Sequence, residues 1–177
     1  MSEGAARVHP ERSQLLRQLR SLLPRLADPL EIVAEQILGL DSRIDFVAKD
    51  RRGQVVLVFL ADRGSDLRAL ADCLAQCSWV EPRVGDWLKL APQLGLRPEL
   101  GVRVLLLASH LDPRTVAAAR SVEGPVIDLG LCRPIPSGAG IEVLVDLLDT
   151  PPPAPIPVAR PAASRFRTGL HPEDFGG

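Results

Sequence analysis

Cys73 and Cys77 stand four apart in a helical segment, a spacing at which two thiolates could share a zinc ion. No second pair has matching spacing: Cys132 is alone, and His110 and His171 are scattered. Both cysteines are therefore read as small apolar core residues. Ser109-His110 follows an apolar run, but no nucleophile elbow or matching acid accompanies it, so His110 is read as a loop histidine. Asp45 is different, because it interrupts the apolar strand run Ile44-Asp45-Phe46-Val47. Around it lie further carboxylates, Glu31, Glu35 and Asp62, and one lysine, Lys49. Lys49 shares strand parity with Asp45 but lies four residues along, about 13 Å at ~3.3 Å per residue.

The elements that must position these groups follow from periodicity. Leu15, Leu16, Leu19, Leu22 and Leu23 form one helical stripe with Arg17 and Arg20 between its members and Arg12 ahead of them, and Pro24 ends it. Asp28-Pro29 reads as the start of a second helix with Leu30, Val33, Ile37 and Leu38 on its buried face, stopped by Gly39. Glu31 and Glu35 are thus expected on that helix. Arg43–Lys49, the turn Asp50–Gly53 and the continuous apolar run through Ala61 predict a β-hairpin whose second strand is buried on both faces. A helix capped by Ser65 or Asp66, a short helix over Val84–Ala91, a strand over Val102–Ala108 and a helix from Asp112-Pro113 follow. Strands are expected over Val126–Leu131 and Ile141–Leu148. Buried strands alternating with helices predict an α/β fold, a mixed β-sheet flanked by helices.

Composition sets the boundaries. The chain has 177 residues, 46% hydrophobic and 24% charged, with 21 Lys and Arg against 22 Asp and Glu. No global positive field is available for bulk attraction of a phosphate backbone. No Tyr, four Phe and two Trp argue against an aromatic stacking platform. Three Cys suit a reducing compartment. No run of 18 apolar residues occurs and Met1–His9 has no apolar leader core, so the expectation is a cytoplasmic chain with no membrane contact. Residues 1–10 read as a loose N-terminus, 11–149 as the α/β domain and 150–164 as a proline-rich linker. Seven of the 17 prolines fall in the last 27 residues. Residues 165–177 form a distinct end carrying Phe166, Leu170 and Phe175.

Ile44-Asp45-Phe46-Val47-Ala48-Lys49-Asp50, the turn with Gly53, and Val55–Leu60 resemble the restriction-endonuclease-like superfamily. Within it the chain looks most like the C-terminal catalytic domain of NucS-type endonucleases. The helix Ala69–Val80 and the strand Val102–Ala108 fall where that family has a helix and its next core strand. The resemblance spans roughly Asp28 to Leu131 and implies a restriction-endonuclease-like core. It also implies metal-assisted phosphodiester hydrolysis, with carboxylates on Mg²⁺ or Mn²⁺ and a lysine near the attacking water. Asp45 matches the family's first carboxylate. Its Glu-x-Lys motif falls on Phe59-Leu60-Ala61, which can neither ligate a cation nor supply the charge, and its helix glutamine and tyrosine fall on Asp72 and Gln76.

Asp45 is then a vestigial metal ligand, a polar contact to a helix N-terminus or a hairpin-edge charge, and it binds metal only if the domain is active. Glu31, Glu35, Asp62 and Lys49 are the groups that could have migrated into the site. Asp62 lies one past Ala61 and is expected on the opposite face unless a bulge turns it. Arg51 and Arg52 read as a solvated turn, and also as the place from which a nuclease-like domain touches phosphate. The expected function is a non-catalytic nuclease-like adaptor without a cofactor, holding a protein partner through Phe166, Leu170 and Phe175; the alternative for that end is a tail folded back over the domain's own apolar surface. The alternatives are a metal-dependent endonuclease acting on single-stranded or branched DNA, as the resemblance implies, or a pseudonuclease that binds nucleic acid weakly without cutting it. A homodimer is compatible with all three.

Overall fold

The computed structural model describes residues 10–138 and 140–148. The linker and the end carrying Phe166, Leu170 and Phe175 lie outside the described residues.

One six-stranded sheet runs in the order β1-β2-β3-β4-β5-β6. Its strands are β1 (Glu31–Leu38), β2 (Arg43–Lys49), β3 (Val55–Leu60), β4 (Val102–Ala108), β5 (Val126–Ser137) and β6 (Gly140–Leu147). β1, β2 and β3 form an antiparallel meander, β3, β4 and β5 are parallel, and β6 returns antiparallel. The helices are α1 (Arg12–Leu22), α2 (Asp66–Val80), α3 (Val84–Leu90) and α4 (Pro113–Ser121). The two parallel crossovers advance across the sheet in one direction, so a uniform right-handed connection puts α2 and α4 on the same face. There Leu70, Cys73, Cys77, Val80 and Ala119 pack on Val55, Leu57, Phe59, Val104, Leu106 and Leu129. On the other face, Leu19 and Leu23 pack on Phe46, Val56, Val58, Leu105 and Leu107. Every residue of β3 is buried, as its unbroken apolar run predicts. The result is the mixed sheet flanked by helices that the restriction-endonuclease-like resemblance implies.

Two expectations are corrected. The second helix is β1, an edge strand. Its pairing with β2 slips between Ile32 and Ala34, and Gln36 takes a positive φ of 55°. Those irregularities break the two-residue alternation that marks a strand and leave apolar spacings that mimic a helix. The expected single buried face is split: Leu30 enters the α1 side, Val33 and Ile37 pack on the α2 side, and Leu38 is 69% exposed. Gly39 does not stop a helix; a Cβ there would collide with the Gln76 side-chain amide, so glycine lets this loop approach α2. The second correction is at β5, which continues past Leu131 to Ser137. Pro134 and Pro136 fit in this extension because β4 ends opposite Leu131, so beyond it β5 needs hydrogen bonds only toward β6.

Candidate functional site

A cleft of about 380 Å³ opens where β3 ends and α2 begins. Crevices outside the carboxyl ends of parallel strands are the usual ligand positions in α/β sheets. Three arginines, Arg12, Arg43 and Arg68, and three aspartates, Asp45, Asp62 and Asp72, line it.

Asp45 lies at its floor, 2% exposed. β2 places it beside Phe59 of β3, and the Leu60 backbone N–H donates to Asp45 Oδ2 at 2.7 Å. The first turn of α1 supplies the counter-ion. Arg12 Nη2 donates to Asp45 Oδ1 at 2.8 Å and to Oδ2 at 2.7 Å. Arg12 Nη1 donates to the Leu60 carbonyl at 2.5 Å and to Asp62 Oδ1 at 2.8 Å. Gln36 Nε2 adds a long contact to Asp45 Oδ1 at 3.4 Å. One planar guanidinium therefore sits where two carboxylates and a carbonyl converge, a fork geometry that a point-charge lysine cannot reproduce. Burial of Asp45 is possible because its charge is paired and hydrogen-bonded.

Of the sequence candidates, the structure brings Asp45 and Asp62 together and leaves the others elsewhere. Asp62 reaches the cleft from the loop after β3, and its link to Asp45 is the Arg12 guanidinium. Glu31 and Lys49 pair with each other at 3.2 Å at the far end of β2, where Lys49 Nζ also donates to the Leu94 carbonyl at 2.7 Å. Glu35, on β1 and not on a helix, pairs with Arg20 at 3.0 Å. Arg51 and Arg52 occupy the turn at the opposite end of the hairpin from the cleft, and Arg52 is held to Asp50 at 3.3 Å. Asp50 is buried, which alone would raise its pKa; the Gln54 and Arg52 N–H donors and the Arg52 guanidinium outweigh that and lower it.

Phe59 is 5% exposed and belongs to the core beneath α2, while its neighbour Leu60 turns to the α1 side. Cys73 and Cys77 are buried free thiols. Burial pushes the Cys77 thiol up to about 12 and the Cys132 thiol to about 11, and Cys73 is raised too, which suits inert core groups. Among the described residues no three His, Cys, Asp or Glu side chains are grouped to hold a metal ion. Asp45 has both oxygens committed to Arg12; of the other two cleft aspartates, Asp62 shares that guanidinium with a side chain 77% exposed, and Asp72 stands on α2. These residues do not fit a divalent ion while Arg12 is in place.

Sequence reasoning missed Arg12. It opens an amphipathic helix, ahead of the first leucine, where a surface arginine is ordinary, and its partners are 33 and 50 residues away. Asp45 carried a signal, as a charge inside a buried strand; the group that neutralises it carried none.

No family model matches the sequence, and no curated protein matches it. Among solved structures the chain is similar to the crystal structure of a repair endonuclease from Pyrococcus abyssi, with 19% identity and a TM-score of 0.46 over 69% of this chain and 48% of that one. It is also similar to EndoMS in a complex with double-stranded DNA, with 13% identity and a TM-score of 0.48 over 71% of this chain and 47% of that one. The chain thus spans about half the length of each. No described helix is long and apolar enough to cross a membrane.

Proposed function

We propose that this chain is a nuclease-like α/β domain that binds without cleaving, an adaptor in which an arginine has taken the place of a catalytic cation. The observation that supports it is the Arg12 guanidinium, bonded to both oxygens of Asp45, to the Leu60 carbonyl and to Asp62. Phe59 and Ala61, where the resemblance calls for glutamate and lysine, bring neither a carboxylate nor an ammonium group to the cleft, and the cation at its floor is the Arg12 guanidinium, already bonded to Asp45. Hydrolysis of a phosphodiester needs charge neutralisation and an activated water at one point, and these side chains supply neither.

The test is direct. The purified protein is incubated with single-stranded, flapped and mismatched DNA in Mg²⁺ and Mn²⁺. No cleavage above the rate of an Asp45→Ala control is expected. Cleavage that disappears in Asp45→Ala overturns the proposal and restores the endonuclease reading. A second reading, nucleic-acid binding without cutting, is favoured by the rim of the cleft: Arg68 has no hydrogen bond or ion pair to another described residue, and Arg43 holds only Gln36, at 3.2 Å. Such binding weakens linearly in log affinity against log salt, and Arg68→Ala lowers that slope.

A further inference from the structure

On the α2 face of the sheet, an apolar groove of about 400 Å³ lies between β1 and the corner where α2 meets α3. Val33 and Ile37 form one wall, and Trp79, Trp87, Leu90 and Leu94 the other. Leu90 is 84% exposed, and both indoles are half-buried. Neither indole N–H is hydrogen-bonded among the described residues. Arg83 stacks on the Trp79 ring at 4.4 Å, and the same indole lines the groove. A continuous apolar lining of this kind marks a contact surface.

We propose that the groove is the seat of the chain's own C-terminal segment, residues 165–177, with Phe166, Leu170 and Phe175 as its apolar anchors. The described chain ends on the correct side. The Leu148 N–H donates to the Leu129 carbonyl at 2.8 Å, and the Leu148 side chain packs on the same core cluster that underlies the groove. From β6 to β1 the sheet measures about 24 Å, five steps of ~4.8 Å. Residues 149–164 can span up to about 50 Å at ~3.1 Å each, enough to pass around the helices. The other two phenylalanines of the chain, Phe46 and Phe59, are in the core, so Phe166 and Phe175 are the aromatic groups left to fill a groove. The assignment holds whether or not the Asp45 cleft cleaves DNA.

The chain has two tryptophans and no tyrosine, and both tryptophans line this groove, so intrinsic fluorescence reads its occupancy. In the full chain, Phe166→Ala/Leu170→Ala/Phe175→Ala is expected to red-shift the emission and raise acrylamide quenching, with the far-ultraviolet dichroism unchanged. A synthetic peptide of residues 165–177 added to that variant restores the wild-type emission, and the same peptide carrying Phe166→Ala binds about tenfold more weakly. Leu90→Arg, at an exposed position that the fold tolerates, gives the same red shift in an otherwise native chain. Unchanged emission and quenching in both variants overturn the proposal. So does wild-type emission that follows protein concentration together with a doubled mass in sedimentation, which assigns the groove to a second copy.

Discussion

At the cleft floor, one arginine determines what Asp45 can do. A buried carboxylate that loses its partner keeps its desolvation cost, so Arg12→Ala is expected to destabilise the fold by about 1–3 kcal/mol, less than a fully buried pair because Arg12 is 40% exposed. Asp45→Ala removes the charge together with the acceptor for the Leu60 N–H. A double-mutant cycle in urea is expected to give a coupling of about 0.5–3 kcal/mol between the two, and additive losses would show that the pair does not act as a unit. Phe59 is the second decisive residue. Phe59→Ala should cost about 3–5 kcal/mol by denaturant titration. Phe59→Glu with Ala61→Lys, which rebuilds the Glu-x-Lys spacing, is expected to unfold more easily and still fail to cut DNA, because an unpaired carboxylate would enter an apolar core. A stable, active double mutant would refute this. Both residues show how far the sequence could be read. Phe59 was legible because parity with Val55 and Leu57 places it in the core, whereas Arg12 acts across chain distances that no local pattern records.

Among the elements, the hairpin and the parallel run were legible for one physical reason. Strands buried on both faces are continuous apolar runs, and β3 and β4 have little else in them. β1 was not legible. An edge strand needs neither continuous burial nor strict alternation, and its slipped register and the positive φ of Gln36 removed the remaining signal. Pairing with β2 then overrode the helical spacing. The helices carry their own acid sensitivity. Asp66 opens α2 and accepts the Asp112 backbone N–H at 2.7 Å, tying α2 to the loop before α4. Burial would raise its pKa, but the Asp112 donor and its neighbours outweigh that and hold it below the ordinary 3.8. A carboxylate depressed in the folded state stabilises fully above its unfolded pKa, and that contribution is lost as pH falls through the folded value. Asp66→Asn should therefore be less stable than wild type near neutrality, with the gap closing below about pH 4 in thermal melts. A gap that stays constant with pH would show that the Asp66 charge is not the source.

Across the whole molecule, the sheet has an uneven outline. β5 outlasts β4, so from Cys132 to Pro136 one side of β5 has no neighbouring strand among the described residues, and Arg133 to Pro136 are exposed. Pro134 and Pro136 share strand parity and therefore remove backbone donors from the same side. Pairing with β6 persists to Ser137 opposite Gly140, so the missing donors belong to the side away from β6. In solution this overhang is a blunted template. An incoming strand, from another copy or from a partly unfolded chain, would find acceptors without the donors needed to complete a ladder. Replacing both prolines by valine would turn the overhang into a β-branched edge able to recruit strands. The expected result is concentration-dependent light scattering from a protein whose melting temperature is little changed. Clear solutions at all concentrations would mean that the prolines are not what keeps this edge from polymerising.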